Sequence, residues 1–153
     1  MPLADRSGPR YECGLDRHVG DADWRRGYVG DSDREYPWGA EPDSGVHGHF
    51  GYFDWAISGD PRGRTAAVGL YPGGRAVCGA LDMGGNVWEW CAEKDEGDKL
   101  GATEVDDSRD PRLLRGGSWF SDIPDDLRAS SRFGSRPDNR FDFVGFRVYC
   151  RPH

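Results

Sequence analysis

Apolar positions along this chain come in short bursts, separated by long polar and glycine-rich stretches. Val87-Trp88-Glu89-Trp90-Cys91 alternates aromatics around a single acid, as a strand with one face on the core does. The Gly84-Gly85-Asn86 turn sets its start. A second burst, Leu113-Leu114, runs through Arg115 into Gly116-Gly117-Ser118-Trp119 and reads as a strand closed by a glycine turn. Residues 144–150 form a third short apolar strand, and residues 66–71, stopped by Pro72-Gly73-Gly74, are a fourth candidate. Helical spacing is scarcer. Asp21 can cap a short helix through Tyr28, with Trp24 and Tyr28 four apart on one face and Gly30 ending it.

Between the second and third bursts lie some twenty-five residues without a usable period. Arg128, Arg132, Arg136 and Arg140 fall every four residues, which suits one helix face, but Gly134 and Pro137 oppose a continuous helix. The stretch reads as a structured loop with at most a turn or two of helix, pinned by strands at both ends. Long irregular segments inside a compact domain are usually functional or disordered. The aromatic and arginine content here favours function.

Composition narrows the class. A chain of 153 residues is one domain's worth, taken as 1–153, and 23 glycines with 10 prolines argue for a loop-rich fold over a helical bundle. Phe50, Tyr52, Phe53 and Trp55 are expected packing anchors within the loops of residues 40–65. A net charge of −7 excludes general affinity for nucleic acid or anionic lipid. No apolar run approaches the ~20 residues of a membrane span, and the first ten residues lack the apolar centre of a signal peptide. Cys13, Cys78, Cys91 and Cys150 form no CxxC pair, which argues against zinc and leaves three disulfide pairings open.

Residues 92–110 hold eight acids against three bases and read as a solvated acidic loop. Glu89 reads either as a solvated strand residue or, with Asn86, as an oxygen ligand for a hard cation such as Ca²⁺. No other cofactor is called for.

Tyr36-Pro37-Trp38-Gly39, then Leu81-Asp82-Met83-Gly84-Gly85-Asn86-Val87-Trp88-Glu89-Trp90, then Leu114-Arg115-Gly116-Gly117-Ser118-Trp119 with Gly145-Phe146-Arg147, form an ordered signature. It resembles the formylglycine-generating-enzyme/sulfatase-modifying-factor family across roughly residues 21–150. The resemblance implies an α+β, C-type-lectin-like fold: loop-rich, with short antiparallel strands and one or two short helices. It also implies that the first and last strands pair antiparallel, at residues 10–13 and 146–150, which would bring Cys13 near Cys150. A bridge there would be worth roughly 4–5 kcal/mol in the chain-entropy account. The family's oxidase activates oxygen with two cysteines five residues apart just after the GGS motif, and those positions are Ser121 and Asp126 here. Neither replaces a soft thiolate pair on copper. The expectation is therefore a binding module and no enzyme, with a sulfatase-modifying-factor-like oxidoreductase or a non-catalytic accessory subunit of invariant surface as the alternatives.

A second group with this fold resembles the chain more fully: the variable proteins of diversity-generating retroelements. In that group adenines of a template, usually in Asn codons, are randomised, and the altered residues form a ligand-binding surface. Such randomisation cannot yield Lys, Glu, Gln, Met or Trp, and none of these occurs in residues 120–153. The resemblance implies a variable region of about 119–144 that binds a protein or other macromolecular ligand, on a protein of the cell surface or a virion. Its candidate ligand-binding residues are Phe120, Ser121, Asp122 and Ile123, then Asp125 and Asp126, then Ser131, Phe133, Gly134 and Ser135, then Phe141, Asp142 and Phe143. Phe120, Phe133, Phe141 and Phe143 are expected on one exposed face with Asp122 and Asp142, above buried framework at residues 116–119 and 145–147. Arg128, Arg132 and Arg140 are expected to tie the irregular backbone through its carbonyls.

Overall fold

The two central bursts of the pattern become the middle of one mixed sheet. The computed structural model describes residues 11–12, 33–39, 41–51, 63–94, 108–148 and 151–152. Strand β1 is Tyr11–Glu12, β2 is Trp88–Lys94, β3 is Arg112–Arg115, β4 is Phe133–Ser135, β5 is Val144–Gly145 and β6 is Arg151–Pro152. The four-stranded sheet runs β4-β3-β2-β5, and β1 pairs separately with β6. Trp90 lies opposite Leu114 and Glu89 opposite Arg115 in the antiparallel β2–β3 pair. The β2–β5 pair is parallel, with Trp88 beside Val144, so the sheet is mixed where only antiparallel pairing was expected.

The core is divided. Met83, Cys91 and Leu113 pack with Ala76 and Ala129 in one cluster, while Tyr36, Phe50 and Leu127 form another, with Trp38 against it. In the second cluster Trp38 stacks on Tyr36 at 5.8 Å and on Phe50 at 6.1 Å, so aromatic area substitutes for the missing aliphatics. Gly74 permits one close approach: a Cβ there would meet the His47 carbonyl oxygen at 1.6 Å. The loop of residues 46–50 therefore lies directly against the 3-10 turn Pro72–Gly74.

Three sequence expectations change. Residues 66–71 form no strand, because side chains take up their backbone groups. Asn86 accepts from the Ala66 amide at 2.9 Å and donates to its carbonyl, and Asp82 accepts from the Gly69 amide at 2.6 Å. Of the strand expected at residues 144–150, the described part, 144–148, is strand only at Val144–Gly145, since Arg147 turns inward and leaves Phe146 and Val148 exposed. The terminal pairing is antiparallel as the lectin resemblance implied, but it joins Glu12 to Arg151 and Tyr11 to Pro152, beyond the expected residues 146–150. The expected helix at 21–28, the anchors Tyr52, Phe53 and Trp55, and the Cys13 and Cys150 thiols lie outside the described residues. Among the described residues Cys78 and Cys91 form no disulfide; Cys78 is exposed and Cys91 buried. No helix among the described residues is long and apolar enough to cross a membrane.

Candidate functional site

The base of the site is the turn after β3. Gly116 and Gly117 both take positive φ, +95° and +70°, a conformation that strains any residue bearing a Cβ. At Gly117 a Cβ would also sit 2.7 Å from the Leu127 side chain. The turn is bonded into the β2 entry: the Gly85 amide donates to the Gly116 carbonyl at 2.9 Å, and the Trp119 amide to the Asn86 carbonyl at 3.0 Å. Asn86 itself adopts φ +63°. Ser118, fully buried, accepts from the Phe120 amide at 3.2 Å, while its own amide donates to the Ser121 hydroxyl at 3.1 Å.

The irregular segment returns to this base at two places. Trp88 donates its amide to the Phe143 carbonyl at 2.8 Å, and the Trp119 indole reaches the Asp142 carbonyl at 3.5 Å. Buried Arg115 donates to the Ala129 carbonyl at 2.7 Å and also to the Ser131 carbonyl. Residues 120 and 141–143 are thereby set side by side although about twenty residues separate them in sequence.

What rises from the base is a column of rings. Phe120 and Phe143 stack at 5.4 Å and Phe141 stacks on Phe143 at 4.9 Å, with Trp119 edge-on beneath Phe120. Phe120 is 48% exposed and Phe141 42%, so the column faces solvent. Asp122, Ile123 and Asp142 are exposed as well. Phe133 is exposed as well but packs against the Trp88 ring at 5.7 Å and is not part of the column.

The other residues named from sequence divide clearly. Ser121 and Ser135 are buried; Ser135 accepts from the Asn139 amide group at 3.0 Å. Ser131 and Gly134 are half-buried, the first offering its carbonyl to Arg115 and the second sitting in β4 opposite Leu113. Asp125 pairs with Arg128 at 2.8 Å. The framework expected at 116–119 is buried, but Phe146 in the second framework block is 76% exposed.

Arginine roles shift in the same way. Arg140 does bind backbone, donating to the Pro137 and Asn139 carbonyls at 2.8 Å. Arg128 binds the carboxylates of Asp125 and Glu35, and its guanidinium lies 5.5 Å over the Tyr36 ring. The main scaffold cations, Arg115 and Arg147, were missed. Arg147 donates to Glu89 at 2.6 Å, to the Leu81 carbonyl at 3.1 Å and to the Asp82 carbonyl at 2.9 Å. An arginine within an apolar strand burst needs a buried acceptor, and that was the available signal.

Glu89 is 3% exposed, so the solvated reading fails: pairing with Arg147 supports a buried carboxylate between two tryptophans. The Asn86 amide is engaged by Ala66. Neither side chain is thus free toward a cation, and no group of three or more His, Cys, Asp or Glu among the described residues could hold a metal ion. Ser121 and Asp126, at the positions where the resemblance puts the paired cysteines, are buried and half-buried, and the Ser121 hydroxyl accepts from the Ser118 amide. A hydroxyl and a hard carboxyl do not fit a soft copper ion. Burial raises the Asp126 carboxyl above the ordinary range; the Ser121 hydrogen bond opposes this, and the charges of Asp122 and Asp125 add to it.

A lectin-like scaffold carrying an irregular C-terminal face over a mixed sheet defines the class. The family model described as "Sulfatase-modifying factor enzyme 1-like domain" matches residues 19–151, and the chain belongs to that family. Hercynine oxygenase of Mycobacterium tuberculosis is 34% identical over 131 residues, which cover 76% of this chain and 27% of that protein. The chain thus spans about a quarter of that relative's length. Among solved structures, variable protein 1 of Treponema denticola matches 89% of this chain and 48% of its own at 24% identity and TM-score 0.64. PvdO from Pseudomonas aeruginosa matches 91% of this chain and 52% of its own at 26% identity and TM-score 0.64. The fold expectation and the family resemblance hold. The expectation of no enzyme is overturned: relatives named as oxygenases share a third of their aligned residues with this chain, so lacking the cysteine pair does not place it outside catalysis.

Proposed function

We propose that the chain is a ligand-binding domain whose recognition surface, diversified between copies of the gene, lies within residues 119–144. The observation that carries this reading is the solvent-facing column of Phe120, Phe143 and Phe141 on a base of buried backbone contacts. Rigid aromatic rings supply contact area at low entropy cost, and anchors of this kind dominate binding energy. A base held by backbone hydrogen bonds tolerates side-chain exchange above it, as diversification requires. The ligand is a protein or other macromolecule. Sequencing this gene in sibling isolates tests the reading. Substitutions confined to 119–144, with Arg115, Gly116 and Gly117 unchanged and a near-identical template repeat nearby, are expected; uniform sequences overturn it.

A second reading is favoured by the identity to hercynine oxygenases. On it, the same face seats a small substrate and the domain contributes to an oxygenase. Oxygen uptake by the protein, dependent on hercynine and lost on replacing Phe141 or Phe143 by Ala, would establish this reading over the first.

A further inference from the structure

We infer that in this copy the Phe120–Phe143–Phe141 face takes an arginine side chain of a basic protein partner, a step that rests on the ligand-binding reading above. Both halves of the chemistry are present. The ring column offers partly exposed rings at Phe120 and Phe141, and a planar guanidinium stacks on an aromatic face. Carboxylates neighbour the ring residues in sequence: Asp142 lies between Phe141 and Phe143 and is exposed, and Asp122 is exposed two residues after Phe120. Neither carboxylate has a hydrogen bond or ion pair among the described residues.

The segment's own cations do not answer them. Arg128 is held by Asp125 and Glu35, and Arg140 by two carbonyls. Against exposed Asp122, Asp138 and Asp142 the segment sets exposed Arg132 and Arg136, of which Arg132 has a partner of its own, so the balance is negative, as is the chain's at −7. A carboxylate beside a ring face binds a guanidinium in two ways at once, by paired hydrogen bonds and by stacking. A lysine ammonium, a compact and strongly hydrated charge, gains less from a flat ring.

Calorimetry of the full chain with an amidated hexa-arginine peptide at physiological salt tests this, with hexalysine and hexaglutamate as comparators. Expected are binding of hexa-arginine more tightly than hexalysine, none of hexaglutamate, and affinity at least about tenfold weaker in Phe141→Leu and in Asp142→Asn. The leucine variant keeps apolar bulk and removes the ring, and a thermal melt confirms that each variant is folded. Glu41→Gln, which removes one exposed charge outside the segment, should leave the affinity within about twofold. Equal affinity of parent, Phe141→Leu and Asp142→Asn overturns the inference, as does equal weakening by Glu41→Gln, which would mean general attraction to an acidic protein. Preference for hexaglutamate overturns it as well. Variable sibling sequences with no arginine dependence defeat this inference alone, whereas uniform sequences defeat the diversified surface and leave arginine binding to stand by itself.

Discussion

Leu114 and Phe120 are both large apolar side chains six positions apart, and the turn between them sends one inward and one out. Leu114 is fully buried opposite Trp90, so truncation to Ala removes its contacts and leaves a cavity; a loss of about 2–5 kcal/mol is expected. Phe120→Ala and Phe141→Ala remove rings that are nearly half exposed, and roughly 1 kcal/mol each is expected. Denaturant melts of the three variants check the contrast. Asp126 sets a pH dependence. Its folded-state pKa is raised, chiefly by burial, so the folded protein holds the proton more tightly than the unfolded chain. Stability from this group is therefore greatest in acid and falls as pH climbs from the ordinary carboxylate range through the raised value. Asp126→Asn should flatten that part of the stability–pH curve, measured by urea melts across mildly acidic to neutral pH. An unchanged slope would show that the carboxyl does not titrate there.

The irregular segment is ordered by what its ends and midpoint are bonded to. Its start depends on the Gly116-Gly117 turn, its middle on Arg115 binding the Ala129 and Ser131 carbonyls, and its end on the short β5 pairing. Gly117→Ala combines a left-handed backbone with a clash against Leu127. Roughly 2 kcal/mol or more of destabilisation is expected, of which the backbone accounts for about 1–2 kcal/mol. Because the turn sets Phe120 beside Phe143, the same variant should also disturb the ring column, visible as altered aromatic resonances or near-ultraviolet circular dichroism. The loop at 66–71 obeys the same rule: it keeps its shape without a ladder because Asn86 and Asp82 stand in for strand partners.

Across the whole molecule, the Glu89–Arg147 pair joins the central strand to the chain's last segment, fifty-eight residues away. The same guanidinium also holds the Leu81 and Asp82 carbonyls, so one side chain locks β2, the turn before it and the exit from β5. Glu89→Gln leaves Arg147 without its counter-charge in a largely buried setting, and about 3 kcal/mol of stability should be lost. Replacing both, as Glu89→Gln with Arg147→Met, should cost less than the sum of the single changes, since no unpaired charge remains. A double-mutant cycle on equilibrium melts measures that difference; strict additivity would mean the two side chains act separately.

What the sequence determined by itself is the local framework. The glycine turns at 84–85 and 116–117, the strand bursts at 87–91 and 113–115, and the ordered blocks that mark the family are properties of neighbouring residues, and period and turn chemistry report such properties directly. Tertiary structure alone decided which polar residues are interior and which rings are exterior. Glu89 has the alternating neighbours of a solvent-facing strand residue, yet it is buried and paired with an arginine fifty-eight residues away. Residues 66–71 have the composition of a strand but lack a strand neighbour, and two side chains claim their backbone instead. Phe120 meets Phe143, which in turn stacks on Phe141, because two attachments bring distant segments together. Contacts between residues far apart in sequence leave no period behind them, so the face of this protein is written in its fold.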